Sequence, residues 1–154
     1  MPEFGYSYNR YNATTQVRAR LSEVDISPKG AREVALAIKG MSLAQARDFL
    51  KAVIEKRRPV AFRRYHKEGA HRRGLEGFHS GRYPVKVAKN FLELLDNLEA
   101  NATYKGLDLD KLRLIHVAAY PGRKLKRYQP RAFGRSSPAF KTLTHVEAVA
   151  EEVP

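Results

Sequence analysis

The residues with the plainest chemistry are the cations in the last third of the chain. Residues 111–146 contain nine Lys or Arg and no Asp or Glu. Side chains of one sign repel one another, and phosphate groups relieve that repulsion by supplying the missing counter-charges and releasing condensed cations. A solubilising surface normally mixes both signs. The segment is therefore predicted to bind nucleic acid, through Lys111, Arg113, Arg123, Lys124, Lys126, Arg127, Arg131, Arg135 and Lys141.

A second cationic stretch lies between Lys56 and Tyr83, where no helical or strand period is visible and four glycines interrupt the chain. This stretch is predicted to be a basic loop. The whole chain has 29 Lys and Arg against 16 Asp and Glu, a formal net charge of +13. Such a balance implies a polyanionic partner, but net charge alone does not separate nucleic acid from an anionic membrane surface or an acidic protein.

Aromatic rings are interleaved with the cations of residues 111–146, at Tyr120, Tyr128, Phe133 and Phe140. Flat rings can stack on the unstacked bases of single-stranded or folded RNA. They can equally pack along a hairpin, and the sequence leaves both roles open.

Catalytic chemistry has few candidate residues. A nuclease or RNA-modifying enzyme would have to use His66, His71, Asp108 and Asp110 as acid-base or metal groups, and an aspartate pair before a strand is already explained by a turn. His71 and His66 also cluster with His79, but without cysteine or nearby carboxylates they form a weak metal site. No glycine-rich phosphate loop is present. We therefore expect no enzyme activity, no metal and no cofactor.

A module that uses the basic loop to bind a membrane surface or an acidic partner is a further alternative. It calls for a basic amphipathic helix with apolar residues opposite, whereas the strongest run of cations lies outside the predicted helices. No stretch approaches eighteen apolar residues, and residues 1–16 have no apolar run after a basic start. The absence of cysteine is compatible with the cytosol. We expect an intracellular protein that has no membrane partner.

The elements that position these groups start with a strand and a helix. Apolar and basic residues alternate from Gln16 to Glu23, which predicts a short strand with one wet face. Ser27 and Pro28 predict the beginning of a first helix that ends before Gly40. The predicted buried face of this helix consists of Ala31, Val34, Ala35 and Ile38.

Two more helices follow. Ser42 with Gln45 three residues later predicts a capping box, and Pro59 stops the second helix. Pro84 opens a longer third helix that runs to about Tyr104. The predicted buried positions are Leu43, Ala46, Leu50, Val53 and Ile54 in the second helix, and Ala88, Phe91, Leu92, Leu95, Leu98 and Ala102 in the third.

Two strands complete the pattern, at residues 112–120 and 142–149. Residues 112–120 have apolar side chains on both faces of the predicted strand, as in a strand partly buried on both faces. Their connection is too long for a tight turn and too rich in aromatic and basic residues for a flexible linker. The fold class is predicted to be α+β, with three helices packed on a small antiparallel sheet and a long protruding β-hairpin. One domain is expected, with an extended tail at 1–15, the basic loop at 56–83 and a hairpin at 112–149 whose tip spans about 123–140.

The hairpin sequence resembles a known family. Residues 126–135 read Lys-Arg-Tyr-Gln-Pro-Arg-Ala-Phe-Gly-Arg and residues 141–146 read Lys-Thr-Leu-Thr-His-Val, similar to the signature of the large-subunit ribosomal protein twenty-two family. Upstream matches are Val-Arg-Ala at 17–19, Ser-Pro-Lys at 27–29, Ala-Gln-Ala at 44–46 and Asn-Phe-Leu at 90–92. The resemblance covers about nine tenths of the chain. Residues 136–139 depart from the common bacterial pattern, and the basic loop resembles the archaeal and eukaryotic branch.

This resemblance implies a structural protein near the exit of the large ribosomal subunit, whose hairpin reaches between rRNA segments into the nascent-peptide tunnel. The implied partners are large-subunit rRNA, neighbouring large-subunit ribosomal proteins and the nascent polypeptide, in the cytoplasm and without homo-oligomers. The expected RNA-binding residues are Arg18, Arg20, Arg57, Arg58, Arg63, Arg64, Arg72, Arg73, Arg123, Lys124, Lys126, Arg127, Arg131, Arg135 and Lys141. The expected tip and tunnel residues are Tyr128, Gln129, Pro130, Ala132, Phe133 and Gly134.

Overall fold

Three helices and three long strands make up most of the computed structural model, which describes residues 5–153. None of the helices in this range is long and apolar enough to cross a membrane. The elements, in chain order, are β1 (Gln16–Val24), α1 (Pro28–Ile38), α2 (Leu43–Ile54), β2 (Val60–Ala61), β3 (Gly81–Arg82), α3 (Val85–Lys105), a 3-10 turn (Leu109–Lys111), β4 (Leu112–Leu125), β5 (Tyr128–Pro130), β6 (Ser136–Pro138) and β7 (Lys141–Glu152).

The main sheet is antiparallel, with strand order β1-β7-β4. The central strand β7 is buried at every position from Thr144 to Ala150. β4 is an edge strand, and its side chains from Ile115 to Ala119 are mostly half-buried. The sequence predicted partial burial on both faces for β4, and the strand that is covered most completely is β7, because it has a hydrogen-bonded neighbour on each side.

The helix ends follow their sequence signals. Ser42 and Gln45 form the predicted capping box of α2. α1 begins at Pro28 after an extended Ser27, although the Ser27 side chain makes no capping hydrogen bond. Gly40 and Gly106 follow α1 and α3 with φ of +86° and +72°, the left-handed conformation that glycine adopts without a Cβ clash. The three predicted helices are confirmed.

The core lies between the helices and one face of the sheet, and α3 is its central helix. α3 contacts both α2 and β1, so its buried stripe is wider than the sequence pattern indicated. Leu94 is fully buried, whereas the predicted Leu92 is half-buried. In α2, Phe49 takes the buried position that was predicted for Ile54. The predicted α+β fold class is confirmed.

Removing the end of the hairpin should leave this body folded, because no residue of the buried core lies between 123 and 139. We predict that replacing residues 123–139 by an Asn-Gly turn preserves cooperative thermal unfolding with little change in midpoint. The matched control, Leu98→Ala in the core, should lower the free energy of unfolding by about 2–5 kcal/mol. Loss of the cooperative transition in the shortened protein would contradict the assignment.

Candidate nucleic-acid interface

The hairpin extends beyond the three-stranded sheet. β4 and β7 pair from Leu112 opposite Glu152 to Leu125 opposite Lys141, whereas the ladder between β1 and β7 ends at Thr144. β5 and β6 then continue the ribbon, with Pro130 opposite Ser136. Beyond Thr144 the ribbon has two strands only, and every side chain from 123 to 136 is exposed.

The turn at the end of the ribbon presents an aromatic ring to solvent. The Arg131 N–H donates to the Arg135 carbonyl at 2.8 Å, which closes the turn. Gly134 and Phe133 both lie in the left-handed region, with φ of 63° and 58°. That conformation is ordinary for glycine but costs about 1–2 kcal/mol for other residues. The strained backbone holds a Phe133 side chain that is 91% exposed, an arrangement without any benefit to the core.

All fifteen cations predicted to bind RNA are exposed, and those of the hairpin fall into two groups. At the base, Lys141 lies 2.7 Å from Asp25 and Arg123 lies 3.7 Å from Glu23. Lys86 also contacts Asp25 at 2.7 Å, and hydrogen bonds from the two lysines hold the pKa of the Asp25 carboxyl below its usual value. Farther out, among the residues that the structure describes, no ion pair joins a carboxylate to Lys124, Lys126, Arg127, Arg131 or Arg135. Uncompensated charge is therefore concentrated towards the tip.

The other interleaved rings contact the protein itself. Tyr128 and Phe140 meet edge to face, with centroids 5.9 Å apart. The Tyr120 hydroxyl donates to Glu147 at 3.1 Å. Tyr120, Tyr128 and Phe140 thus have partners within the protein. Tyr128 is still 62% exposed, and Phe133 is the most exposed of the four rings at 91%.

The basic loop is held by aromatic stacking and by a short ribbon between β2 and β3. Arginine side chains lie over ring faces at centroid distances of 5.0 to 5.6 Å, a geometry that favours the cation over the π-face. The pairs are Arg58 with Phe49, Arg63 with Phe78, Arg64 with Tyr65 and Arg72 with Tyr83. The sequence has no local period here that predicts this order. It depends on tertiary contacts, among them the burial of Val60 and Phe62 in the core.

Glu33 connects the loop to α1 and was not predicted as a positioning residue. Its carboxylate is 1% exposed and accepts the backbone N–H groups of Arg63 at 3.2 Å and Arg64 at 3.0 Å, while Arg32 pairs with it at 3.1 Å. A buried carboxylate requires such partners. The available signal was an acidic residue inside the apolar stripe of the first helix.

The N-terminal segment lies across the outer face of the sheet. The Arg18 guanidinium is 4.5 Å from the Tyr6 ring centroid and 4.4 Å from that of Tyr11. Tyr8 lies against His116, with ring centroids 5.4 Å apart. Lys105 at the end of α3 donates to the Tyr11 hydroxyl at 2.6 Å. Residues 1–4 of the predicted tail lie outside the described residues.

The carboxylate of Glu147, on β7, joins this segment to β4. It accepts hydrogen bonds from the backbone N–H and hydroxyl of Ser7, from His116 at 2.8 Å and from the Tyr120 hydroxyl. Burial is the largest single influence and acts to raise the pKa of Glu147. The hydrogen bonds from Ser7, His116 and Tyr120 together outweigh it, so the pKa lies below its ordinary value.

The residues of the enzyme alternative have other contacts. Asp108 accepts the Asp110 backbone N–H at 3.2 Å and so caps the 3-10 turn. His66 packs edge to face against Phe78 and His79, with centroids 5.6 and 6.2 Å apart. Within residues 5–153 no cluster of His, Cys, Asp and Glu is arranged to hold a metal ion. Turn capping and ring packing describe these residues without a catalytic role.

We predict an acid-dependent stability that involves Glu147. Because its folded-state pKa is below the unfolded-state value, Glu147 stabilises the fold above about pH 4.5, and that contribution is lost as pH falls through the folded-state pKa. Glu147→Gln should lower the free energy of unfolding by about 1–3 kcal/mol at neutral pH. Denaturant titrations between neutral and acid pH should show that difference shrinking in acid.

The control for this experiment is Glu93→Gln, at an exposed position on α3. It should leave both the stability and its pH dependence close to those of the unmodified protein. Parallel pH profiles for the unmodified protein and Glu147→Gln would contradict the assigned role of this carboxylate.

The chain is similar to known proteins over most of its length. A family model described as "Ribosomal protein L22p/L17e" matches residues 19–151. The "Large ribosomal subunit protein uL22" of Nitrosopumilus maritimus is 51% identical over 153 residues, covering 99% of this chain and 100% of the relative. The proteins of the same name from Cenarchaeum symbiosum and Archaeoglobus fulgidus are 53% and 48% identical, covering 99% and 98% of this chain and 99% and 97% of the relatives.

These relatives are archaeal, which confirms the resemblance to the archaeal and eukaryotic branch. The matched region contains all three helices, the basic loop, the hairpin at 112–149 and most of the sheet, of which residues 16–18 and 152 lie outside the match. The proteins of this family are structural ribosomal proteins and are not known as enzymes. The prediction that this chain is not an enzyme is therefore confirmed. The chain belongs to the ribosomal protein L22p/L17e family.

Proposed function

We propose that this chain is a structural component of the large ribosomal subunit, in the cytoplasm, which binds rRNA through its basic loop and its hairpin. The observation that carries the proposal is the charge arrangement of the hairpin. Its base cations are paired with Glu23 and Asp25, and the cations nearer the tip have no such carboxylate among the described residues. Phosphates of folded RNA would supply the missing counter-charges.

The two cationic segments contribute differently. Four arginines of the basic loop lie over aromatic rings and belong to an ordered part of the body, which suits recognition of a fixed RNA shape by positioned phosphate contacts. The hairpin is a two-stranded ribbon with exposed side chains, which suits insertion between RNA segments. Arg18 and Arg20 on β1 add a third contact, next to the tyrosines of the N-terminal segment.

The reach of the hairpin supports a role in the nascent-peptide exit tunnel. From Pro121, where the third strand ends, to Pro130 at the end of β5, the ribbon spans up to about 30 Å at roughly 3.3 Å per residue, and Phe133 lies in the turn beyond it. Such an arm is long enough to cross a layer of rRNA. The exposed Phe133 and the neighbouring residues Tyr128, Gln129, Pro130, Ala132 and Gly134 would then form part of the tunnel wall beside the nascent polypeptide.

The remaining surface would contact neighbouring ribosomal proteins and rRNA, with one copy of the chain in each subunit. β1 and β4 are the sheet edges, and the extension of β4 into the hairpin directs that edge towards RNA. The proposed function is binding and organisation, because the cations lie on surfaces suited to phosphate contact and, within residues 5–153, Asp108 is engaged in capping the 3-10 turn and in an ion pair with Lys111.

We predict that Arg127→Ala, Arg131→Ala and Arg135→Ala, combined in one protein, weaken binding to large-subunit rRNA and flatten its salt dependence. Each lost phosphate contact should reduce the slope of log K against log salt by roughly 0.7–0.9. Filter binding across a range of salt concentrations measures the slope.

The matched control removes three exposed cations that lie in a helix or directly after one, Lys39, Lys51 and Lys89, by the same change to Ala. Because both proteins lose the same net charge, the control separates local phosphate contacts from long-range attraction. An unchanged slope in the hairpin variant, or equal losses in the two variants, would overturn the contact assignment.

A further inference from the structure

A cavity of about 750 Å³ lies between the beginnings of α1 and α3 and the basic loop. Its volume is within the range of about 300–1,000 Å³ typical of ligand sites. Ile26, Phe62 and Val87 give it an apolar inner wall and are themselves buried. A concave apolar surface of this size on a protein of high net charge calls for an occupant with an apolar part.

Cations surround that apolar wall. Lys29, Arg64, Lys67, Arg82 and Lys86 all line the cavity, and within residues 5–153 no Asp or Glu lines it. Lys86 pairs with Asp25 just outside. The first turns of α1 and α3, which border the cavity, contain no acidic residue, so the positive ends of two helices add to the field. The occupant must also carry negative charge.

Two half-buried tyrosines, Tyr65 and Tyr83, complete the lining. The Arg64 guanidinium is 5.6 Å from the Tyr65 ring centroid, and the Lys29 ammonium is 5.5 Å from it. A phenol ring next to a guanidinium plane is a surface on which a nucleobase can stack. A cavity lined by cations alone could also bind an acidic peptide. The flat rings of Tyr65 and Tyr83 favour an anion that contains an aromatic ring.

We propose that this cavity receives one unstacked nucleotide of the rRNA, with its base against Tyr65 or Tyr83 and its phosphate at Lys29, Arg64 and Lys67. This inference rests on the proposed rRNA-binding function and makes it specific. A regular duplex keeps its bases stacked and has no group that fills a concave apolar site, so the nucleotide comes from a loop, a bulge or a junction. Glu33 positions this site, because it holds the backbone of Arg63 and Arg64 from inside the body.

The experiment is base-specific chemical probing of large-subunit rRNA bound to the full-length protein. Two variants address the cavity. Tyr65→Leu combined with Tyr83→Leu retains apolar bulk and removes the rings, and Ser27→Trp fills the cavity from a lining position whose side chain makes no capping bond. The control, Tyr104→Leu, changes a tyrosine that is 93% exposed at the end of α3. Thermal unfolding of each variant selects those that retain the native fold.

We expect one rRNA base to be protected by the unmodified protein and by the control, and to become reactive again with both cavity variants. The affinity should fall about 5- to 150-fold without a change in salt slope, because stacking is lost and charge is retained. The hairpin variant at Arg127, Arg131 and Arg135 should keep the same base protected once the complex is saturated.

Three other outcomes would overturn the inference. Cavity variants that bind and protect like the control would leave rRNA binding intact and exclude the cavity as its site. Protection of the base that persists when adenosine or uridine monophosphate occupies the cavity of the unmodified protein would assign the cavity to free nucleotides and not to rRNA. Failure of the unmodified protein to bind rRNA would remove the proposed function together with this inference.

Discussion

Positive charge without internal counter-charge is the constraint on which this structure depends. The chain has 29 basic residues and 16 acidic ones, and the fold uses its carboxylates at a few structural points. Asp25 and Glu23 lie at the base of the hairpin, Glu33 lies under the basic loop, and Glu147 lies under the N-terminal segment. Each fixes a segment that carries cations, and the hairpin end is left without a matching carboxylate in the described chain. The free protein therefore tolerates a repulsion that RNA phosphates would remove.

The sheet supports the cationic hairpin through its central strand. β7 is buried along seven consecutive residues and is hydrogen-bonded on both sides, and it continues directly into the hairpin. The hairpin is thus anchored in the centre of the sheet. The same strand holds Glu147, so the N-terminal segment, the sheet and the hairpin are connected through one element. Arginines stacked on rings give the basic loop a defined shape despite its many glycines.

Periodic patterns and capping residues were enough to predict the helices, the sheet strands and the hairpin. The capping box at Ser42 and the proline at the start of α1 fixed the helix ends, because those signals act through local backbone hydrogen bonds. Tertiary contacts could not be read in this way. Leu94 replaced Leu92 in the core, and the roles of Glu33 and Glu147 depend on partners about 30 and 140 residues away in sequence. The cavity between α1, α3 and the basic loop arises from the same kind of long-range packing.

We infer that the hairpin passes through rRNA and presents its tip to the nascent chain. The most direct test is RNase-sensitive co-sedimentation with large ribosomal subunits, followed by crosslinking from a benzophenone amino acid in place of Phe133. We expect sedimentation with the large subunit and crosslinks from position 133 to both rRNA and nascent polypeptide. A protein that stays in the soluble fraction, or that crosslinks to neither partner from position 133, would contradict it.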